Sequence, residues 1–240
     1  IKRRITSIAR ESGADVTIVE LGGTVGDMES MPFLEAARQL GRDLGRTENV
    51  LFVHTTLIPI MGSVGEEKTK PTQHSVKELM AIGIRPDIII GRCSQPICEA
   101  ARAKIAMFCD VDESAVISTP DARSIYEVPL NLERQGVADI IIDRMKLMPM
   151  TGKRDMTKWE SFLSNILSPV REVTIAVVGK YTSLADSYLS HIEALTHAGS
   201  ERKCKVNVRF IDSDSLLSEG PASLLSDVHG VLIPGGFGNR

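Results

Sequence analysis

Short apolar runs rich in β-branched residues alternate with longer amphipathic stretches along the first part of the chain. We predict strands at Val16–Val19, Val50–Thr55, Asp87–Ile90 and Ala115–Ser118, with helices at about 1–12, 31–44, 73–83, 99–108 and 131–143. Continuous apolar strands between helices are typical of a parallel sheet that is covered on both faces. The alternation therefore predicts an α/β fold with a doubly wound, mainly parallel sheet.

A second alternation of strands and helices begins after a change of pattern near residue 148. Residues 148–153 are turn-like, and one amphipathic stretch, Met156–Leu167, is ended by Ser168 and Pro169. Further strands are predicted at Val173–Tyr181, Val206–Ile211 and Val228–Pro234, with a helix at about 185–198. We therefore predict a domain at 1–146, an interdomain linker at 147–171 and the start of a second α/β domain at 172–240.

The charge balance of the chain argues against a nucleic-acid partner. The chain has 28 Lys and Arg against 31 Asp and Glu, whereas proteins that bind nucleic acid are usually basic. No apolar run approaches the roughly 20 residues of a membrane helix, and no long apolar segment follows the charged start of the chain. We therefore expect a cytoplasmic protein that does not contact a membrane.

The cysteines and histidines form no pattern of a metal site or an activated nucleophile. Cys93, Cys98, Cys109 and Cys204 contain no CxxC pair, which argues against zinc and favours reduced thiols. His54 lies within an apolar run and is predicted to be a packed core residue.

The segment from Lys68 to Leu79 combines features that suit a phosphate group. Lys68 and Lys70 flank a threonine, and Pro71 favours extended backbone at the residue before it. A helix that begins at Thr72 or Gln73 would add a hydroxyl and free N–H groups. Ammonium groups beside a helix N-terminus favour phosphate binding, although a solvated basic loop would have the same composition.

Acidic residues surround a glycine-rich run near the first predicted strand. Glu20 follows that strand, and a carboxylate at the carboxyl end of a strand can hold Mg²⁺ beside nucleotide phosphates. A surface carboxylate is the alternative for Glu20. The run Gly22–Gly26 lacks the Gly-Lys-Ser/Thr of a Walker A loop, so it is not assigned to phosphate. Asp27 and Glu29 suit the hydroxyl and amine donors of a sugar or base.

Four segments together resemble the CTP synthase family. They are Leu21-Gly22-Gly23-Thr24-Val25-Gly26-Asp27-Met28-Glu29-Ser30, Lys68 to Leu79, Ser124-Ile125-Tyr126 and Pro234-Gly235-Gly236-Phe237-Gly238, in the order and spacing of the family. The resemblance runs from residue 1 to residue 240 and implies a middle piece of the full length. It places the Walker A loop before residue 1, and the amidotransferase Cys, His and Glu after residue 240. We therefore expect this piece to be inactive alone.

The resemblance also implies an architecture and a set of ligand-binding residues. It implies a P-loop NTPase-like amidoligase domain followed by a class I glutamine amidotransferase domain. It assigns UTP or CTP at the substrate site to Lys68, Thr69, Lys70, Pro71, Thr72, Gln73 and Lys104, and CTP as feedback inhibitor to Asp27, Met28 and Glu29. It assigns ATP to Asp121 and Ala122, glutamine to Gly236, and Mg²⁺ to Glu20. No catalytic residue is assigned within the chain.

The implied reaction is the ATP-dependent amination of UTP to CTP with ammonia derived from glutamine. ATP phosphorylates O4 of UTP, Mg²⁺ bridges the phosphates, and ammonia then displaces the phosphate. The family further implies GTP as an activator and a homotetramer in the complete protein.

Two places depart from the family pattern. The run Gly65-Glu66-Glu67 has an extra acid before Lys68 where an apolar residue is expected, and Gln95–Cys98 lacks an arginine that many members carry. Another ATP-dependent amide ligase with the same folds, of the cobyrinate or dethiobiotin type, is the alternative among enzymes. A non-catalytic nucleotide sensor or a filament-forming regulator is the alternative outside enzymes.

Overall fold

The computed structural model describes residues 1–46, 48–62, 65–148, 154–182 and 184–236. The chain divides into two compact units, Ile1–Lys153 and Arg154–Arg240. Each unit contains a three-stranded parallel sheet, and the first unit also contains a short antiparallel pair of strands. The prediction of an α/β fold built on parallel sheets is confirmed.

The sheet of the first unit is parallel throughout. The described residues of this unit form the strands β1 (Val53–Leu57), β2 (Ile60–Met61), β3 (Glu66–Glu67), β4 (Ile88–Cys93) and β5 (Val116–Pro120). The sheet order is β1-β4-β5, with His54 opposite Ile89 and Ile89 opposite Val116. Strands β2 and β3 pair antiparallel and form the hairpin that leads to Lys68. The sequence did not predict this hairpin.

Helices cover both faces of this sheet. The helices of this unit in the described residues are α1 (Lys2–Ser12), α2 (Met31–Leu44), α3 (Lys70–Ala81), α4 (Glu99–Cys109), α5 (Val128–Arg134) and α6 (Val137–Arg144). Successive strand residues point to opposite faces. Ile89 accordingly packs with Val76 of α3 and Ile105 of α4, whereas Ile88 packs with Val137 of α6.

Two helices differ from their predicted bounds. Helix α3 begins at Lys70 and not at 73. Pro71 is tolerated in the first turn because the N–H groups there have no acceptor within the helix, so the missing N–H of proline costs no hydrogen bond. The prediction of extended backbone at Lys70 was therefore wrong. The helix predicted at 131–143 is two helices, since Gly136 adopts a left-handed conformation with φ 73° between α5 and α6.

The strand predicted at Val16–Val19 is wrong. These residues belong to no helix or strand, and Ile18 is 92% exposed. An apolar run becomes a strand only where a neighbouring strand satisfies its backbone groups, and no described strand pairs with it. Glu20 therefore does not follow a strand of the sheet.

Asp87 anchors the start of β4 to the chain before β1. Its side chain is buried and accepts a hydrogen bond from the Phe52 N–H at 2.7 Å. The Arg46 guanidinium reaches the same carboxylate at 3.2 Å and donates to the Arg85 carbonyl at 2.7 Å. The charge of Asp87 is thus paired and hydrogen-bonded, as a buried carboxylate requires.

The side chain of Gln135 closes the outer edge of β5. Its amide oxygen accepts from the Ser118 N–H at 2.9 Å, and its amide nitrogen donates to the Ser118 carbonyl at 2.7 Å. Both backbone groups that Ser118 would offer to a further strand are thereby satisfied.

The second unit repeats the parallel pattern on a smaller scale. Its described residues form α7 (Thr157–Leu167), β6 (Arg171–Gly179), α8 (Leu189–Glu201), β7 (Cys204–Asp212), α9 (Ser213–Glu219), α10 (Pro221–Leu225) and β8 (Gly230–Leu232). The sheet order is β7-β6-β8, and the strands predicted in this part of the chain are confirmed. Helices α9 and α10 were not predicted, because each is too short to show an amphipathic period.

The amphipathic stretch predicted after residue 155 is helix α7. The Ser200 hydroxyl of α8 donates to the Phe162 carbonyl of α7 at 2.9 Å, and the rings of Phe162 and His197 lie 5.5 Å apart, edge to face. These contacts fix α7 to the second unit. Residues 149–153 of the predicted linker lie outside the described residues, and the assignment of 147–171 as a linker stays a prediction.

Candidate ligand site at the carboxyl edge of the first sheet

The strands of the first sheet end at one edge because they are parallel. Pairing continues one residue past the strands, since the Ile58 N–H donates to the Arg92 carbonyl and the Asp121 N–H to the Cys93 carbonyl. The lysine segment thus follows β1, and Asp121 follows β5, with β4 between them. The end of β1 and the end of β5 are two strand spacings apart, which is roughly 10 Å. Such an edge is the usual ligand site of open α/β sheets.

The start of α3 is fixed to the end of β1 by a buried threonine. Thr72 has no exposed surface, and its hydroxyl donates to the Leu57 carbonyl at 3.4 Å and accepts from the Thr56 hydroxyl at 3.3 Å. Gln73 donates from its amide to the Thr69 hydroxyl at 3.0 Å. No side-chain hydrogen bond from Thr69 caps the first turn, so the helix N-terminus keeps N–H groups for a ligand.

The three predicted lysines lie just before α3, on its first residue and on the helix α4. The Lys68 ammonium contacts Glu66 at 2.6 Å. That hydrogen bond is the main cause that lowers the pKa of Glu66, and the charge of Lys104 lowers it further. The Lys70 ammonium lies 5.5 Å from the ring centroid of Phe108, one helical turn after Lys104 on α4. Lys70 thus contacts the helix that bears Lys104, and Lys68 contacts the acid on which the charge of Lys104 also acts.

The predicted ATP loop lies at the far side of the same edge. Asp121 pairs with Arg92 at 3.3 Å, and Asp121 and Ala122 are both exposed. The loop that follows is held by Glu127, which accepts from the Arg123 N–H at 2.9 Å and from its guanidinium at 2.9 Å. The Arg123 hydrogen bond lowers the pKa of Glu127. The backbone of this loop is thus ordered and accessible.

The segment Asp27, Met28 and Glu29 is a local turn before α2. Asp27 accepts from the Thr24 N–H at 2.7 Å through its carboxylate, and its carbonyl accepts from the Ser30 hydroxyl at 2.8 Å. Met28 is 87% exposed, and Glu29 is exposed as well. One oxygen of Asp27 is therefore occupied by the turn itself, while the two following side chains face solvent.

Glu20 offers one exposed carboxylate to a metal ion. Among the described residues, no group of three or more His, Cys, Asp or Glu side chains could hold a metal. Mg²⁺ in nucleotide sites is commonly held by one or two carboxylates together with the phosphates. The donor chemistry of Glu20 fits Mg²⁺ only as a ligand shared with a nucleotide.

Gly236 lies in the second unit, after β8. Gly236 is exposed, and a methyl group at this position would stand 3.8 Å from the Lys180 side chain, an ordinary contact distance. Phe237 and Gly238 of the predicted glycine loop lie outside the described residues.

Sequence reasoning missed three charged residues at the first-unit site. Glu66 pairs with Lys68, Arg92 pairs with Asp121, and Glu67 contacts the N-terminus of α4. The only signal in the sequence was the acidic pair directly before Lys68, which departs from the family pattern. Arg92 gave no signal, because its partner is distant in sequence.

His54 and the cysteines agree with their predictions. His54 is buried in β1, with its Nε2 atom 3.0 Å from the Ser75 hydroxyl, and burial lowers its pKa. The four cysteines are free thiols. Burial raises the pKa of Cys93, and raises that of Cys109 to about 11. Cys98 is exposed.

A parallel sheet between helices, with charged side chains at its carboxyl edge, places the first unit in the class of α/β ligand-binding domains. The family model described as CTP synthase N-terminus matches residues 1–147. The chain belongs to the CTP synthase family.

Known relatives agree over the whole chain. A CTP synthase of Carboxydothermus hydrogenoformans is 53% identical over 240 residues, which cover 100% of this chain and 44% of the relative. A CTP synthase of Methanococcus maripaludis is 50% identical and one of Geobacter metallireducens 52% identical, and this chain covers 45% and 44% of them. The chain thus spans less than half the length of these relatives.

Proposed function

We propose that this chain is part of a ligase of pyrimidine biosynthesis that aminates UTP to CTP. ATP would phosphorylate O4 of UTP, and ammonia from glutamine would displace the phosphate. The placement of Lys68 and Lys70 at the start of α3, with Lys104 on the helix α4 that Lys70 contacts, carries this proposal. Membership of the CTP synthase family supports the choice of substrates.

The lysines would bind the triphosphate of UTP. Lys68 is held by the single negative charge of Glu66, and a triphosphate with several negative charges would displace that contact. Hydrogen bonds from ammonium to phosphate are charge-assisted and stronger than neutral ones. The Thr72 side chain is buried, so Thr72 would contact the triphosphate through its backbone N–H at the helix start. Thr69, Pro71 and Gln73 would line the same part of the site.

ATP would bind on the other side of β4. The exposed backbone of Asp121 and Ala122 would hold the base, while Arg92 keeps the Asp121 side chain in place. The two nucleotides would then meet across the end of β4, where phosphoryl transfer depends on position and charge neutralisation. Glu20 would hold Mg²⁺, which when bound neutralises charge on the phosphates.

Other ligands and the assembly belong to the same proposal. CTP as feedback inhibitor would contact Asp27, Met28 and Glu29, and GTP would act as an activator. Gly236 would offer its backbone N–H to glutamine or to the oxyanion formed from it. We further propose a cytoplasmic homotetramer. Among the helices of the described residues, none is both long and apolar enough to cross a bilayer.

Calorimetry with UTP, CTP and Mg²⁺ tests the substrate site. We expect the chain to bind UTP and CTP and to reject UMP and GTP, and the double variant Lys68→Ala, Lys70→Ala to lose binding. A matched control is Lys77→Ala, which removes an exposed lysine further along α3 and should leave binding intact. Equal binding of all triphosphates would reject pyrimidine specificity, and no binding by the folded chain would reject the proposed function of the lysines.

A further inference from the structure

Two adjacent acids of β3 have different partners. Glu66 contacts the Lys68 ammonium, whereas Glu67 contacts Cys98 at the start of α4. Glu67 is the extra acid that departs from the family pattern, and Cys98 lies in the other departing segment, Gln95–Cys98. The two departures are therefore in direct contact with each other.

Glu67 closes the N-terminus of α4 with both carboxylate oxygens. The Cys98 N–H donates to one oxygen at 2.6 Å, and the Cys98 thiol donates to the other at 3.0 Å. The Cys98 sulfur in turn accepts from the Ala101 N–H at 3.4 Å as the N-cap of the helix. A carboxylate at a helix N-terminus is favoured both by the free N–H groups and by the helix dipole.

This contact joins the two parts that carry the lysines. Lys68 follows Glu67 directly, and its N–H donates to the Pro59 carbonyl at 2.8 Å, which holds it in the hairpin. Lys104 lies on α4, the helix that Glu67 closes. The carboxylate of Glu67 therefore fixes the distance between the hairpin that bears Lys68 and the helix that bears Lys104.

We propose that Glu67 is a positioning residue for the UTP site, because it holds the Lys68 hairpin against the N-terminus of α4. This inference rests on the proposed function of the lysines. Glu67 would not contact UTP itself. Its effect would reach the triphosphate through the spacing of Lys68 and Lys104, and Cys98 would be the partner that receives it.

UTP binding by three variants tests this role. We expect Glu67→Ala to raise the dissociation constant for UTP about tenfold, the equivalent of one charge-assisted contact. Glu67→Gln keeps one acceptor for the Cys98 N–H, so its affinity should lie between those of Glu67→Ala and the unmodified chain. Glu99→Ala removes an exposed acid from the same first turn of α4 and should bind UTP normally. Thermal unfolding of each variant shows whether it is folded.

The thiol of Cys98 reports the contact without any nucleotide. Cys98 is exposed while Cys93, Cys109 and Cys204 are buried, so rapid alkylation reports Cys98 alone, and Cys98→Ser should abolish it. Loss of the carboxylate removes the acceptor that holds the Cys98 thiol and opens space beside the sulfur for the reagent. We therefore expect alkylation several-fold faster in Glu67→Ala and unchanged in Glu99→Ala.

The outcomes separate this inference from the proposed function. Normal UTP affinity in a folded Glu67→Ala variant would overturn the positioning role, whatever the alkylation rate. An unchanged alkylation rate would show that Glu67 does not hold Cys98, and would overturn the role as well. If the unmodified chain failed to bind UTP, the proposed function of the lysines would fail first, and the positioning role would fail with it.

Discussion

The lysine segment 68–73 and the turn at 27–29 both carry predicted nucleotide-binding residues, but they are held in different ways. The first is tied to β1 through Thr72 and Leu57, and to the start of the hairpin through Lys68 and Pro59. The second is held mainly by its own neighbours, through Asp27 to Thr24 and Ser30. The upstream run 13–20 lies outside the sheet altogether. The backbone of the lysine segment is therefore positioned by the sheet. The turn at 27–29 is positioned by its own residues, and its exposed side chains have no hydrogen bond or ion pair with the described residues that would fix their conformation before a ligand binds.

Among variants that still fold, the largest loss of stability should come from removing the charge that anchors the sheet. Asp87→Ala leaves the Arg46 guanidinium and the Phe52 N–H without their buried partner, so we expect a loss of about 3 kcal/mol of unfolding free energy. Urea denaturation measures it. Asp112→Ala is the matched control, since it breaks the exposed pair with Arg144 and should cost below about 1 kcal/mol. Equal losses would contradict the role of Asp87 as an anchor.

A smaller loss should follow when the helix start is detached from β1. Thr72→Val keeps the shape of the side chain but leaves the Leu57 carbonyl without its donor, so we expect a loss of about 1–2 kcal/mol. Denaturation measures stability and calorimetry measures UTP affinity in the same samples. Thr72→Ser keeps the hydroxyl and should retain UTP affinity. Weak UTP binding in the serine variant would show that the hydroxyl does not set the place of the segment.

The pH dependence of stability tests the buried histidine on β1. Burial lowers the pKa of His54 in the folded chain below the value of about 6.5 that it has when unfolded. The unfolded chain therefore binds more protons, and stability should fall as pH drops below about 6.5 and level off above it. His54→Gln should flatten this part of the curve, measured by unfolding at pH 5.5 and pH 8. An equally steep fall in the variant would assign the effect to other groups.

The smallest effect is expected in the run that was predicted as a strand. Ile18→Asp places a charge where the side chain is already exposed, so the unfolding free energy should change by less than about 0.5 kcal/mol. Ile89→Asp is the matched change at a fully buried position of β4, and it should prevent stable folding. A large loss from Ile18→Asp would mean that Val16–Val19 is buried after all, and the contrast between the two regions would disappear.

The sequence predicted those features that depend on local periodicity. The apolar period of α2 gave its bounds at 31–44, and the continuous apolar run at Asp87–Ile90 gave β4 to within a few residues. The same reasoning failed at Val16–Val19, because strand formation depends on a partner that the run itself does not specify. The division of the predicted helix at Gly136 was missed, because a single glycine within a helical pattern does not by itself predict a left-handed conformation.

The candidate site was predictable only in part. Lys68 and Lys70 were evident as a basic segment, and the family resemblance added Lys104, which an isolated helix would not single out. The contacts of Glu66, Glu67 and Arg92 join residues from different elements, and spacing along the chain carries no information about them. Their discovery required the fold, because the fold sets which loops share one edge of the sheet.

The two hydrogen bonds between the Gln135 side chain and the Ser118 backbone affect how copies of this chain associate with one another. An open strand edge recruits strands from other molecules, and amyloid-like growth begins at such edges. At β5 the amide of Gln135 occupies the N–H and the carbonyl of Ser118, which an incoming strand would need, so it opposes strand-by-strand association of molecules. Gln135→Leu would leave both backbone groups of Ser118 open to a strand from another molecule. We therefore expect this variant to aggregate under conditions in which its fold is still intact.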